Sequence, residues 1–308
     1  MIIKNFLFHR VSDESDQLWP PMPVSLFNTL IGHITRKYEV IKLEDYVLFG
    51  QPASFTRPPA TILFDDGYKD NIEYAVPILE KYKCPASFYV VTDCIDRNTP
   101  TWTYIVDHVL QHTNKQALSL EMNFVPESFK TSTFNSSGER LSFGSRLKPW
   151  MKSLSNDERR QVMTVLNDTF NEVIPPSNKM MNWNDLRTMK SAGYSIGSHS
   201  LSHPLLASIK DESELAFELT ESGKRIQHEL GEFPVTISYP IGSFDQRVIS
   251  NSRKAGYKIG LAVKQQFYNT SKDEVFSIPR MELYNEPLWK CKLRMSGAYS
   301  WMKNRMKV

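Results

Sequence analysis

The chain has 308 residues, with 37 Lys+Arg against 34 Asp+Glu and a formal net charge of +3, a balance that excludes a protein living on nucleic-acid phosphates. Hydrophobic residues at 41% and charged residues at 23% fit a soluble globular chain and exclude a disordered one, and no apolar run approaches the roughly 18 residues of a spanning helix. Three cysteines (Cys84, Cys94, Cys291) without a CxxC exclude a disulfide framework and a zinc finger, and suit a reducing compartment.

The first expected element is a strand, Ile2–Phe8, ending at His9. The opening residues hold no basic region followed by a long apolar stretch, so no signal peptide and a cytoplasmic location are expected. A second strand, Ala60–Phe64, runs into Asp65-Asp66-Gly67, and a helix over Asp70–Tyr82 sets Tyr74, Ile78 and Leu79 on one face. Strand Ala86–Val91 follows. Residues 98–180 are long, polar and mixed, and read as an insertion on the scaffold, with Asp157–Val173 helical in pattern. Then come strand Tyr194–Gly197, helix Glu212–Leu230 with Leu215, Leu219, Ile226 and Leu230 at near-helical spacing, and strands Val235–Tyr239, Lys258–Val263 and Phe276–Leu283. Gly193 and Gly231 sit where helix C-terminal caps belong. Strands alternating with helices imply βαβ units and a parallel sheet, open or closed into a barrel. The last stretch, 288–308, is basic (Lys290, Lys292, Arg294, Lys303, Arg305, Lys307), and Met295, Tyr299, Met302 and Met306 share one helical face. Such a helix can lie on an anionic membrane surface; docking on the body with a solvated basic face is the preferred reading.

Chemistry gathers in three segments. Thr61–Gly67 is a strand ending in two adjacent carboxylates, which repel each other unless one binds a cation or a proton. In α/β sheets, sites form at the carboxyl ends of strands. Ile196-Gly-Ser-His-Ser-Leu-Ser-His203 follows another strand, and two imidazoles four residues apart on a helical turn can grip one divalent ion. One carboxylate and two histidines leave open positions on a zinc ion, and the spare carboxylate is free to take a proton: a metal-assisted hydrolase site. The residues alone do not say which aspartate does which job. Ile237–Asp245 ends a strand in a Pro/Gly turn, which can present Tyr239 and backbone N–H groups to an oxyanion.

Phe64-Asp-Asp-Gly67, Gly197-Ser-His-Ser-Leu-Ser-His203-Pro and Tyr239-Pro240-Ile-Gly-Ser-Phe-Asp245 together resemble the first three motifs of the polysaccharide deacetylase family, carbohydrate esterase family four. The resemblance is good over Ala60–Asp93 and Asn182–Leu283, loose before that, and hardly touches the insertion and tail. It implies an α/β fold, a distorted (β/α)7-type barrel over residues 1–308, with the polar helical insertion at about 98–180 and the basic tail at about 288–308. It implies removal of an N-acetyl group from a sugar, glycan or glycan precursor, with Zn²⁺ or another divalent ion such as Co²⁺ or Ni²⁺. By position, Asp65 is the general base, and Asp66, His199 and His203 are the metal ligands.

There are two departures. Where the family's third motif usually opens with an arginine that orients the base, this chain has Ser238; Arg280 resembles the arginine some branches use instead. The family's last motif, a strand ending in a general-acid histidine, has no counterpart after His228, but Phe6-Leu-Phe-His9 resembles that strand moved to the front. His9 is then the expected general acid. Trp102 and Tyr104 resemble aromatic positions that stack on a sugar, and Tyr239 and Pro240 are expected beside the substrate, the Tyr239 N–H aiding the oxyanion. His33, His108, His112 and His228 read as structural. Rival readings are a non-catalytic sugar-binding protein on the same fold, an Fe(II) oxygenase, and a deformylase or cyclic-amide hydrolase.

Overall fold

The computed structural model describes residues 1–50 and 55–298. Its frame is a set of short parallel strands: β1 (Ile2–Phe8), β2 (Pro59–Phe64), β3 (Ser87–Val90), β4 (Ser195–Ser198), β5 (Thr236–Ser238), β6 (Ile259–Leu261) and β7 (Met281–Glu282). They pair in chain order from β1 to β6. The segment around β7 touches both edges of the sheet, since Ile278 bridges Leu261 and Met281–Glu282 pairs with Phe6–Leu7. The sheet therefore curls round on itself, the expected distorted barrel. Two minor strands extend its rim: Tyr268–Asn269 runs antiparallel to β1, and Glu39–Val40 runs parallel to β2.

Strands covered on both faces read as continuous apolar runs, and every residue of Pro59–Phe64 is buried. Side chains alternate between the helices outside and the barrel interior. Outside, Phe8, Phe64 and Phe88 lie opposite one another in register and stack, with centroids 5.5 and 4.7 Å apart, under Phe27 of helix α1 (Val24–Lys37). Inside, Ile3, Leu63, Tyr89, Ile259 and Leu261 fill the barrel. Glu44 closes its lower end, accepting hydrogen bonds from Ser87 Oγ (2.7 Å), Tyr89 Oη (2.9 Å) and Thr236 Oγ1 (3.1 Å).

The helix expected over Asp70–Tyr82 opens with a π-helical turn, Asn71–Ala75, before the regular α2 (Val76–Lys81). The strand expected over Phe276–Leu283 is reduced to two paired residues and one bridge. Within 98–180 lie helices α3 (Trp102–His112), α4 (Ser137–Met151) and α5 (Asn156–Thr169) and a hairpin of Ala117–Ser119 with Thr131–Thr133. They pack around an apolar cluster of their own that includes Leu110, Phe143, Leu147 and Leu166. Helix α6 (Trp183–Ser191) leads into β4, α7 (Glu212–Leu230) packs against it, and α8 (Gln246–Ala255) precedes β6. Helix α9 (Leu288–Ser296), the first part of the tail, docks on the body with Cys291 and Met295 in the main apolar cluster and Arg294 bonded to Glu286. Tyr299, Met302, Lys303, Arg305, Met306 and Lys307 lie outside the described residues. No helix among the described residues is long and apolar enough to cross a membrane.

Candidate active site

The strand alternation places the chemistry. Phe64 and Phe8 point outward, so the next residues, Asp65 and His9, turn toward the barrel axis at its carboxyl rim. Along β4, Ile196 is outward and Ser198 faces α7, where its hydroxyl meets Ser222 Oγ at 2.7 Å; His199 is then inward. Ile237 lies opposite Ser198, which leaves Ser238 inward. Strand register alone thus aims Asp65, His199, Ser238 and His9 into one 360 Å³ cavity or its wall.

Asp66, His199 and His203 are buried, and one ligand atom of each lies within 4.8 Å of the others. His199 Nε2 is 3.4 Å and His203 Nε2 is 3.3 Å from the same oxygen, Asp66 Oδ1. That oxygen has no hydrogen-bond donor among the described residues. A buried carboxylate oxygen left unpartnered between two imidazole nitrogens is the donor set of a divalent-cation site, so these residues fit a metal. His199 Nδ1–H donates to the Ser238 carbonyl at 2.8 Å, which fixes the ring and leaves Nε2 facing the site. Burial lowers the His203 pKa, favouring the neutral ring that a metal ligand requires.

The two histidines do not share a helical turn. The chain leaves β4 as a loop with left-handed backbone at Ser200 (φ 65°) and His203 (φ 63°), and Asp66 is left-handed as well (φ 76°). Such strain needs a surround that over-determines it. Here the buried Glu218 of α7 accepts Leu201 N (3.1 Å), Ser202 N (3.0 Å) and the Ser202 hydroxyl, while Ser200 Oγ accepts His203 N (3.1 Å). Sequence reasoning missed Glu218; its place as one of five acids on a mostly solvated-looking helix gave no signal.

Asp65 is gripped from the segment around β7, which only β1 separates from the Asp65 strand. Arg280, fully buried, donates Nη1 to Oδ1 at 2.7 Å and Nη2 to Oδ2 at 2.9 Å, and its Nε binds the Ala262 carbonyl at 3.2 Å. Ser238 Oγ adds a third donor to Oδ1 at 3.0 Å. Burial alone would raise the Asp65 carboxyl, but the Arg280 charge and bonds outweigh it and hold the group below its ordinary range. His9 lines the same cavity, with Nδ1 3.5 Å from Glu282 Oε1 and its ring edge-on to Trp19.

Three expectations change. The Tyr239 N–H is committed to the sheet, donating to the Leu261 carbonyl at 3.1 Å, so it is not available to an oxyanion. The Tyr239 ring is buried with its hydroxyl on the Phe276 carbonyl at 3.1 Å, and Pro240 is buried beside it. Trp102 does not line the cavity: its indole N–H supports the metal-site loop by donating to the His203 carbonyl at 3.0 Å, and the Arg159 guanidinium covers its ring. Tyr104 is buried under the Arg10 guanidinium. The cavity wall instead includes Lys148 and Lys152 from the insertion, and Ile241, Val263 and Tyr284. Polar residues in an insertion carried no periodicity that could have marked those two lysines.

A family model described as polysaccharide deacetylase matches residues 53–132 and 154–260, more than half of the chain. The match enters the insertion further than the motifs alone suggest, and it leaves His9 and Arg280 outside. No curated protein matches the chain. Among solved structures, the Streptococcus pyogenes deacetylase PplD, in complex with acetate, is 15% identical with a TM-score of 0.63, covering 96% of this chain and 98% of that one. A de-N-acetylase from Aggregatibacter actinomycetemcomitans is 16% identical with a TM-score of 0.60, covering 96% and 100%. IcaB from Ammonifex degensii is 14% identical with a TM-score of 0.58, covering 96% and 97%. At such identities these likenesses speak for the fold.

Proposed function

The chain belongs to the polysaccharide deacetylase family and is a carbohydrate N-deacetylase, and from that premise we propose that its rim residues divide the work of hydrolysing a sugar acetamide with a divalent metal. Asp66, His199 and His203 hold the ion, Zn²⁺ or a similar cation such as Co²⁺ or Ni²⁺. When bound, it supplies a Lewis acid for the acetyl carbonyl and lowers the pKa of water.

The protein's own groups then move the protons. Asp65 takes one from the attacking water; Arg280 and Ser238 keep its carboxylate ionised and fix its plane, so that no reorganisation is needed when the proton arrives. His9 gives a proton to the departing amine, with Glu282 beside it to orient the ring. Glu218 and Trp102 hold the ligand loop in its left-handed path. Three free, buried cysteines suit a reducing compartment, so a cytoplasmic place and a glycan precursor as substrate belong to this reading.

One observation carries the proposal: the unpartnered Asp66 Oδ1 sits between two imidazole nitrogens, next to a carboxylate already neutralised by a buried arginine. The test is acetate release from a panel of N-acetylated monosaccharides, nucleotide sugars and glycans, with and without chelator. Chelation is expected to abolish it, and Asp65→Asn to lower kcat by about 10²–10⁴-fold with the metal still bound. An Asp65→Asn enzyme running at the wild-type rate would refute the assignment of the base.

A further inference from the structure

Lys148 and Lys152 come from the end of α4, one turn apart, with Lys152 N donating to the Lys148 carbonyl at 3.1 Å, and both face the cavity that holds Asp65, Asp66 and His9. Their charges are not equivalent. Lys148 Nζ is paired with the buried carboxylate of Asp107. Lys152 is half-buried and forms no ion pair among the described residues. No described acid lies within ion-pair distance of it: Asp65 is paired with Arg280 and Asp107 with Lys148, Glu282 lies against His9 and accepts the Tyr284 hydroxyl, and Asp66 belongs to the proposed metal site. An ammonium drawn out of water without a counter-charge is unfavourable unless what fills the cavity supplies one. Sugar hydroxyls and the acetamide group are neutral and cannot do so.

We propose that Lys152, with Lys148 beside it, is a specificity-determining residue that selects an N-acetylated sugar bearing an anionic substituent, a phosphate ester or a carboxylate. This deepens the deacetylase reading and rests on it. Burial, and then the neighbouring Lys148, lower the Lys152 pKa, against the smaller opposing pull of Glu282, Asp107 and Asp66. Residues 133–153, which carry both lysines, fall in the gap between the two segments that match the family model, so membership of the family does not by itself account for either lysine.

The test uses the full chain loaded with metal, and N-acetylglucosamine against its 1-phosphate, its 6-phosphate and N-acetylmuramic acid, which place the charge at C1, C6 and C3. Wild type is expected to favour at least one anionic sugar by about tenfold or more in kcat/KM, mostly through KM, with the preference shrinking as salt rises. Lys152→Gln is expected to bring that ratio to near one, and Lys152→Arg to retain it. Preference for the phosphates alone, or for the carboxylate alone, identifies the anion. Calorimetry of the same sugars reads binding without turnover. A chain that binds the anionic sugar about tenfold more weakly after Lys152→Gln, yet releases no acetate, keeps this site and sinks the deacetylase reading. A wild type that does not discriminate in either assay, or a ratio unchanged by Lys152→Gln, overturns the site and leaves deacetylation standing.

Discussion

Replacing Arg280 with methionine tests how Asp65, the proposed general base, is kept ionised. The side chain is fully buried and makes both bonds to Asp65 in a fork, and removing it leaves the carboxylate buried with Ser238 Oγ as its remaining donor from that side. Breaking a buried pair from one end costs about 3–5 kcal/mol, because the other charge stays desolvated and unpaired. Adding Asp65→Asn removes that charge, so the double variant should lack only neutral hydrogen bonds, about 1–2 kcal/mol in all. The lost Nε bond to the Ala262 carbonyl is common to both variants and cancels in their difference. The expected pattern in urea melts, run with chelator so that no cation neutralises the site, is a large loss for Arg280→Met and recovery of about 2–3 kcal/mol on adding Asp65→Asn. A single variant within about 1 kcal/mol of wild type, or a double variant no more stable than the single, would refute the account of a desolvated, arginine-neutralised base.

Three further outcomes follow from neighbouring contacts. Glu218→Ala strands the Ser202 N–H and hydroxyl and leaves Leu201 N only the residue-218 carbonyl (3.2 Å), and should weaken zinc binding by about 10–100-fold in a dye-competition titration, with Glu218→Gln much closer to wild type. Burial lifts the Asp107 carboxyl to about 6, so the native state keeps a proton that the unfolded chain sheds near pH 4. Its contribution to stability is therefore complete below about pH 4 and lost as pH rises toward 6, by on the order of 3 kcal/mol. The stability of wild type minus that of Asp107→Asn should fall over that window and stay flat above it; a difference constant with pH counts against it. A Cβ at Gly260 would sit 2.2 Å from Tyr239 Oη and 2.7 Å from the Phe276 carbonyl oxygen, so Gly260→Ala should lower stability by about 3 kcal/mol, part of it restored by Tyr239→Phe.

Much of the fold was legible because period-two and period-3.6 apolar patterns are local: Ile2–Phe8 and Glu212–Leu230 are found with the bounds their side chains suggest. What was not legible depends on partners distant in the chain. The Tyr239 N–H looked available until the register with β6 committed it to Leu261. The spacing of His199 and His203 suggested a helical turn, but Glu218, reaching in from another element, stabilises a left-handed loop instead. Trp102 looked like a sugar platform because an aromatic side chain near a site has two uses, and sequence shows neither the His203 carbonyl below it nor the Arg159 guanidinium above. Lys148 and Lys152 are one turn apart on α4, yet only the packing of the insertion on the rim shows that they face the carboxylates.

The Arg280–Asp65 pair shows what holding a buried carboxylate requires. A carboxylate base needs donors on both oxygens in one plane, and a guanidinium delivers that from any strand whose inward position brings it within reach. Strand β5 puts Ser238 next to Asp65, too short to reach both oxygens, and it contributes one bond to the base and its carbonyl to His199. The segment around β7 lies on the other side, between β6 and β1, and from there the longer side chain of Arg280 spans the gap and binds both. The same segment carries Glu282 to within 3.5 Å of His9, at the end of the neighbouring strand. One short, weakly paired strand thus orients both the expected base and the expected acid. Reduced pairing along β7 removes ladder hydrogen bonds but leaves Arg280 anchored by three bonds of its own, so the precision of the site rests on side-chain contacts where backbone pairing is least.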